Sequence, residues 1–150
     1  MKINKLSYQD YLFVALQFLI FATYFLPFKI VSIDIPAWLR YLGLVVIGLA
    51  LILGTTALLQ LNTKISPFPT PVSNGKLIRT GAFKVSRHPI YTALIFSAMG
   101  YTIYQESLLK LLITLVLLIL FYFKSGYEEK LLGQTFSEYE DYKKKTRRFI

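Results

Sequence analysis

The stretch HPIYTALIFSAMGYTIYQESLLKLLITLVLLILFYFKSGYEE, His88 to Glu129, decides how this chain folds. Two apolar blocks, Pro89–Tyr104 and Leu108–Phe123, flank a polar break of only three residues, Gln105-Glu106-Ser107. A break so short leaves room only for a reversal, so the blocks read as an antiparallel helical hairpin. Its tip serves as a ruler. Counted from Glu106, His88 lies 18 residues back and Glu128 lies 22 residues on. At the helical rise these are about 27 and 33 Å, so both finish on one side, within about one turn of each other. The chain's single histidine is thereby brought to the neighbourhood of two adjacent carboxylates, Glu128 and Glu129.

Outward from the hairpin, two earlier blocks, Tyr11–Phe28 and Ala37–Leu61, are each long enough to cross a bilayer as a helix. Of the 150 residues, 55% are hydrophobic, and they are bunched rather than alternating, as in an integral membrane protein of one domain, residues 1–150. Trp38 and Tyr41 sit near one end of the second block, as interfacial aromatics do. Gly43, Ile47, Ala50 and Gly54 share one of its faces, where mostly small side chains let another helix approach closely. The first block follows Lys2 and Lys5 as a signal peptide would, but no small-x-small cleavage pattern follows it; it reads as an uncleaved first span.

Basic residues orient these blocks. Lys2 and Lys5, then Lys64, Lys76, Arg79, Lys84 and Arg87, then Lys124, Lys130, Lys143, Lys144, Lys145, Arg147 and Arg148 fall on one side. Only Lys29, Arg40 and Lys110 fall on the other. The positive-inside bias then places both termini in the cytoplasm. The expected fold is an all-α integral membrane protein with four transmembrane helices (11–28, 37–61, 89–104 and 108–124), a long cytoplasmic loop and an interfacial C-terminal helix. The net charge of +9 sits beside apolar blocks, which points to anionic lipid at the basic loop and tail and not to nucleic acid. With no cysteine, thiolate nucleophiles and thiolate metal sites are excluded. No metal site is expected.

The loop LNTKISPFPTPVSNGKLIRTGAFKVS, Leu61 to Ser86, is longer than compact bundles keep without a use. Pro67, Pro69 and Pro71 favour extended backbone, and Ser73-Asn74-Gly75 is a turn signal. A basic loop resting on headgroups is the plain alternative. At Arg87-His88-Pro89, proline suits a helix's first turn, and the free N–H groups there attract anions. Equally, Arg87 could snorkel to headgroups, His88 could merely cap, and Glu128-Glu129 could pair with Arg87 or Lys84. From Tyr127 onward, Leu131, Leu132, Phe136, Tyr139 and Tyr142 recur at helical spacing before KKKTRR, which reads as an amphipathic interfacial anchor.

The segments KLIRTGAFKVSRHPIYTALI, EEKLL and FSEYEDYKKKTRR resemble the isoprenylcysteine carboxyl methyltransferase family, whose wider group includes phospholipid methyltransferases and small prokaryotic members. The likeness runs from Leu61 to Arg148. It implies an S-adenosylmethionine site built from residues 61–91 and 124–148. Lys76, Leu77 and Ile78 would line the cofactor with their backbone, and Phe83 would pack near it. His88, Pro89, Ile90 and Tyr91 would contact it, and Glu128 would meet one of its polar groups, with Glu129 the ambiguous neighbour. Lys124 would face the substrate, and Arg87 is a candidate for orienting it. The acceptor implied is lipophilic, with O-methylation of a carboxylate favoured over N- or S-methylation, in a prokaryotic inner or plasma membrane. Phe83, Ala93 and Phe136-Ser137 depart from the family's frequent Tyr, Gly and Phe-Gly, and the extra spans of eukaryotic members are lacking. Two other readings stand beside this one: an NADPH-dependent, sterol-reductase-like membrane enzyme, and a scaffold that binds anionic lipid.

Overall fold

The computed structural model describes residues 6–28, 31–72 and 75–150. Lys2, Lys5, Lys29 and the Ser73-Asn74 part of the expected turn lie outside the described residues. The described chain is all-helical: α1 (Tyr8–Tyr24), α2 (Ala37–Leu61), a short α3 (Ala82–Val85), α4 (Pro89–Gln105), α5 (Leu108–Thr135) and α6 (Tyr139–Lys145). A single 3-10 turn, Asn62–Lys64, follows α2. The one bridge among the described residues, Ser32 to Ser107, ties the α1–α2 connection to the hairpin tip. Two backbone hydrogen bonds flank it, from Ile33 to the Glu106 carbonyl and from Leu108 to the Val31 carbonyl.

The hairpin turns as its sequence demands. Pro89 occupies the first turn of α4, where its missing N–H costs nothing. Glu106 ends α4 in the left-handed region at φ 53°, and Ser107 begins α5 by accepting from Lys110 N–H. Pairings then set the directions of the long helices. Gly43 lies against Gly100 and Gly54 against Ala93, so α2 and α4 are antiparallel. Lys110 Nζ donates to the Tyr24 carbonyl and Lys124 Nζ to Gln17, so α1 and α5 are antiparallel too. The start of α1, the end of α2, the start of α4 and the end of α5 therefore gather at one end of the bundle.

The small-residue face of α2 is where α4 docks. A Cβ on Gly43 would stand 2.5 Å from the Gly100 carbonyl oxygen, and one on Gly100 would stand 2.5 Å from that of Gly43. Close backbone approach replaces the hydrophobic driving force that helices lose in lipid. Ala93 is accommodated because its partner across the interface is Gly54. On the other faces, large apolar side chains such as Phe18, Leu49, Ile52, Leu59, Val116 and Ile119 are exposed. Among the described residues two helices, α2 and α5, are long and apolar enough to cross a membrane, with mean hydropathy of 2.5 and 2.1.

Several expected boundaries move. The first block forms a helix from Tyr8 to Tyr24 and stops before Leu26-Pro27, because proline disfavours helix in the residue preceding it. α5 continues past Lys124 to Thr135. The expected tail helix from Tyr127 is thus divided: its first part belongs to α5, and only Tyr139–Lys145 folds separately. Tyr139 and Tyr142 are buried within the protein, at 1% and 5% exposure, so these two rings are not its lipid-facing side.

Candidate functional site

At the gathered end, α5 delivers Glu128 and Glu129 to the start of α4, and the two carboxylates meet different fates. Glu129 is buried and saturated. Arg87 reaches its Oε1 with Nε at 3.0 Å and Nη2 at 2.9 Å. Arg148 binds it through both oxygens, at 3.1 and 2.8 Å. His88 Nε2 adds a contact at 3.3 Å. Burial alone would push this carboxyl up, but the hydrogen bonds from His88, Arg148 and Arg87 outweigh it and hold the group well below the usual carboxylate range.

Glu128 is only partly buried. Its Oε2 accepts from Tyr91 Oη at 2.9 Å and lies 3.6 Å from His88 Nδ1. His88 thus stands between the two carboxylates, one ring nitrogen toward each. Its ring stacks on Tyr91 with centroids 5.4 Å apart, and Tyr91 stacks in turn on the buried Phe121 at 4.6 Å.

The alternative pairings proposed for this triplet resolve by residue. Arg87 takes up Glu129, so the plain ion-pair reading holds for that carboxylate. Arg87 Nη1 donates to the carbonyls of Lys143 and Thr146, so all three of its nitrogens are engaged and the side chain does not snorkel. His88 is the N-cap residue of α4 by position, but its side chain makes no capping hydrogen bond.

Two cavities adjoin here. One, about 290 Å³, runs among Gln17, Leu58, Phe83, His88, Tyr91 and Lys124, and Arg87, Pro89 and Ile90 also line it. The other, about 430 Å³, lies under the proline-rich loop and includes Thr70, Lys76, Ile78, Leu132 and Phe136. Leu61, Ser66 and Glu128 line both. Of the residues singled out in the sequence, Leu77 and Glu129 line neither.

Lys124 closes the first cavity from inside the bundle. It is fully buried, and Nζ donates to Gln17 Oε1 at 2.6 Å and to the Pro67 carbonyl at 2.8 Å. An ammonium has three donors, so one remains. Nζ also stands 5.3 Å from the centroid of the Tyr91 ring.

The loop that roofs both cavities is pinned by side chains the sequence reading passed over. Asp10, wholly buried in the first turn of α1, accepts from Ser7 N–H at 2.7 Å, from Thr70 N–H at 3.0 Å and from Thr70 Oγ1 at 2.9 Å. Ser7-x-x-Asp10 is a helix-start pattern, which was the signal available for it. Gln60 fixes the loop's far end by donating to the Thr80 carbonyl and accepting from Ala82 N–H. Gly81, at φ 59°, passes so close to Gln60 that any side chain would collide with it.

The last segment returns across the site. Arg87 N–H donates to the Arg147 carbonyl, and His88 N–H and Ser86 Oγ donate to that of Arg148. No local pattern announces Arg148 as a partner of Glu129. Its basic neighbours suggest lipid instead.

The described helices form an apolar bundle with a cavity-bearing polar end. The chain belongs to the phospholipid methyltransferase family, whose model matches residues 38–139, from α2 to the start of α6. It is thereby a membrane methyltransferase. No curated protein matches the chain.

Proposed function

We propose that this protein transfers a methyl group from S-adenosylmethionine to a lipophilic acceptor, and that the favoured acceptor is a carboxylate on an isoprenylcysteine-like or lipid molecule. The observation that carries the proposal is Glu128 at the junction of two adjoining cavities. One of them reaches inward between helices past Leu58 and Leu94, and the other lies under the loop.

The residues fit the cofactor. Together the cavities fall in the size range of small-molecule sites. Glu128 Oε1 has no partner among the described residues, so it can accept from an ammonium or a ribose diol. His88 and Tyr91, which line one cavity, and Ile78 and Leu132, which line the other, offer surface for an adenine. Lys76 and Ile78 contribute from the loop, whereas Leu77 acts only through its neighbours. When bound, S-adenosylmethionine supplies a methyl group that is already activated by a sulfonium.

The chain's own work is then alignment and exclusion of water. Pro67, held by Lys124, and Thr70, held by Asp10, keep the roof in place. A carboxylate acceptor is ionised at neutral pH and needs no base. The remaining donor of Lys124 supplies its counter-charge in a water-poor setting. Glu129, Arg87 and Arg148 form a closed cluster beside the start of α4, and Arg87, which also lines the smaller cavity, is held there in place to orient substrate.

The antiparallel order supports a four-span topology in which α1 and α4 cross beside α2 and α5, with the site on the cytoplasmic side and both termini there. Thermal titration of the purified protein in detergent tests the cofactor directly. S-adenosylhomocysteine should stabilise it and NADPH should not. Stabilisation by NADPH alone would establish the reductase-like reading instead, and stabilisation by neither would favour the scaffold.

A further inference from the structure

α5 has a second face. Lys124, Glu128 and Leu132 look into the two cavities. At 3.6 residues per turn, Tyr122, Gly126 and Gly133 point the opposite way. There α1, α5, α6 and the tail enclose a groove of about 780 Å³.

The groove changes character along its length. Tyr122 and Phe123 stand about two turns before Lys130 on α5, Leu12 and Phe13 of α1 face the stretch between, where Phe13 packs on Tyr127 at 5.8 Å, and Lys143 and Arg148 complete the lining. Tyr122 and Phe123 are exposed and close the apolar run of α5, where aromatic rings mark a membrane boundary. Lys130, further along α5, lies on the headgroup side of that boundary.

Its charges are available. Glu129 also borders the groove, but Arg87, His88 and Arg148 already satisfy it. Glu140 is then the acid left to set against the basic residues. Neither Lys130 nor Lys143 has an ion pair among the described residues. Arg148 spends Nε and Nη2 on Glu129 and lays its guanidinium over the Tyr122 ring, 5.0 Å from the centroid, with Nη1 3.8 Å from where a Cβ on Gly126 would stand.

We propose that this groove binds one anionic phosphoglyceride. Lys130 and Lys143 hold its phosphate with Arg148 Nη1 beside them, and an acyl chain runs past Leu12 and Phe13 toward Tyr122 and Phe123. Because α5 separates the groove from the two cavities, this lipid is a resident of the fold and not the methyl acceptor.

The test is a titration of the full chain in detergent with dioctanoyl phosphatidylglycerol, dioctanoyl phosphatidylcholine and glycerol 3-phosphate. Thermal stability gives the affinity, and native mass spectrometry gives the stoichiometry. One phosphatidylglycerol should bind per chain, more tightly than phosphatidylcholine, and glycerol 3-phosphate should not reproduce its effect. The paired substitution Lys130→Gln and Lys143→Gln should weaken phosphatidylglycerol roughly tenfold or more. Gly126→Leu, which fills the groove floor, should weaken it comparably. Both variants should keep the wild-type response to S-adenosylhomocysteine. Equal affinity for phosphatidylglycerol in wild type and both variants would overturn the site. Equal binding of phosphatidylcholine would remove the charge argument, and a full effect from glycerol 3-phosphate would replace the lipid with a simple phosphate.

Discussion

Tyr91 donates its hydroxyl hydrogen to Glu128 at 2.9 Å, across the mouth of the α4–α5 hairpin. That single bond orients one carboxylate at the meeting point of two cavities, while its neighbour in sequence, Glu129, is turned into a closed ionic cluster. Two adjacent acids on one helix therefore have separable jobs, and substitutions should divide them.

Glu129→Gln should destabilise the protein by about 3 kcal/mol, because it leaves the Arg87 guanidinium buried without its counter-charge. Thermal unfolding in detergent measures this. Glu128→Gln should leave the unfolding midpoint near that of wild type, since Glu128 is partly exposed and makes no direct ion pair with a lysine or arginine among the described residues.

The same cluster sets an acid limit. Glu129 is held below its ordinary range in the folded state, so its contribution is present above the unfolded value of 4.5 and is lost as pH falls toward the folded one. Stability should be insensitive to this group above about pH 6 and should decline on acidification. The decline should be shallower in Glu129→Gln, which has no such proton to bind. A wild-type and variant pair with superimposable acid profiles would contradict the assignment.

Gly43→Ala or Gly100→Ala should separate α2 from α4 and cost about 1–3 kcal/mol, as overpacked interiors do. Gly48, on the same helix, has nothing within 4 Å of a Cβ. Gly48→Ala should be neutral or stabilising by up to about 1 kcal/mol. The contrast between the two positions, read by unfolding in a common detergent, checks the helix pairing.

Asp10→Ala strands the N–H groups of Ser7 and Thr70 and should cost about 1–3 kcal/mol. It should also weaken S-adenosylhomocysteine, because Thr70 lines the cavity under the proline-rich loop. Asp10→Asn keeps one acceptor oxygen and should recover part of both losses. An Asp10→Ala protein that binds as tightly as wild type would show that the loop does not need this anchor.

What the sequence made legible was whatever a helix can measure. A continuous helix is a ruler, so counting from Glu106 brought Glu128 to His88 without any tertiary information. The small residues of α2 likewise told where a neighbour would dock, because close approach needs an absence of side chain. The return of the tail was not legible. Its contacts are backbone groups of Arg147 and Arg148 set against Arg87 and His88, and main-chain hydrogen bonds leave no mark on residue type. KKKTRR therefore read as a membrane anchor, while Arg148 in fact completes the Glu129 cluster. Tyr139 and Tyr142 misled for a related reason: helical spacing identifies an apolar face but not whether lipid or protein covers it. Asp10 carried a visible capping pattern, but its partner Thr70 lies 60 residues away in a loop without regular structure.

The most direct test of the central claim is calorimetric titration of S-adenosylhomocysteine into wild type, Glu128→Gln and Glu129→Gln. The account predicts one saturable site in wild type and a loss of roughly tenfold or more in Glu128→Gln at unchanged unfolding midpoint. In Glu129→Gln it predicts a loss of stability first. Wild-type affinity in Glu128→Gln, or no binding by the wild-type protein, would contradict it.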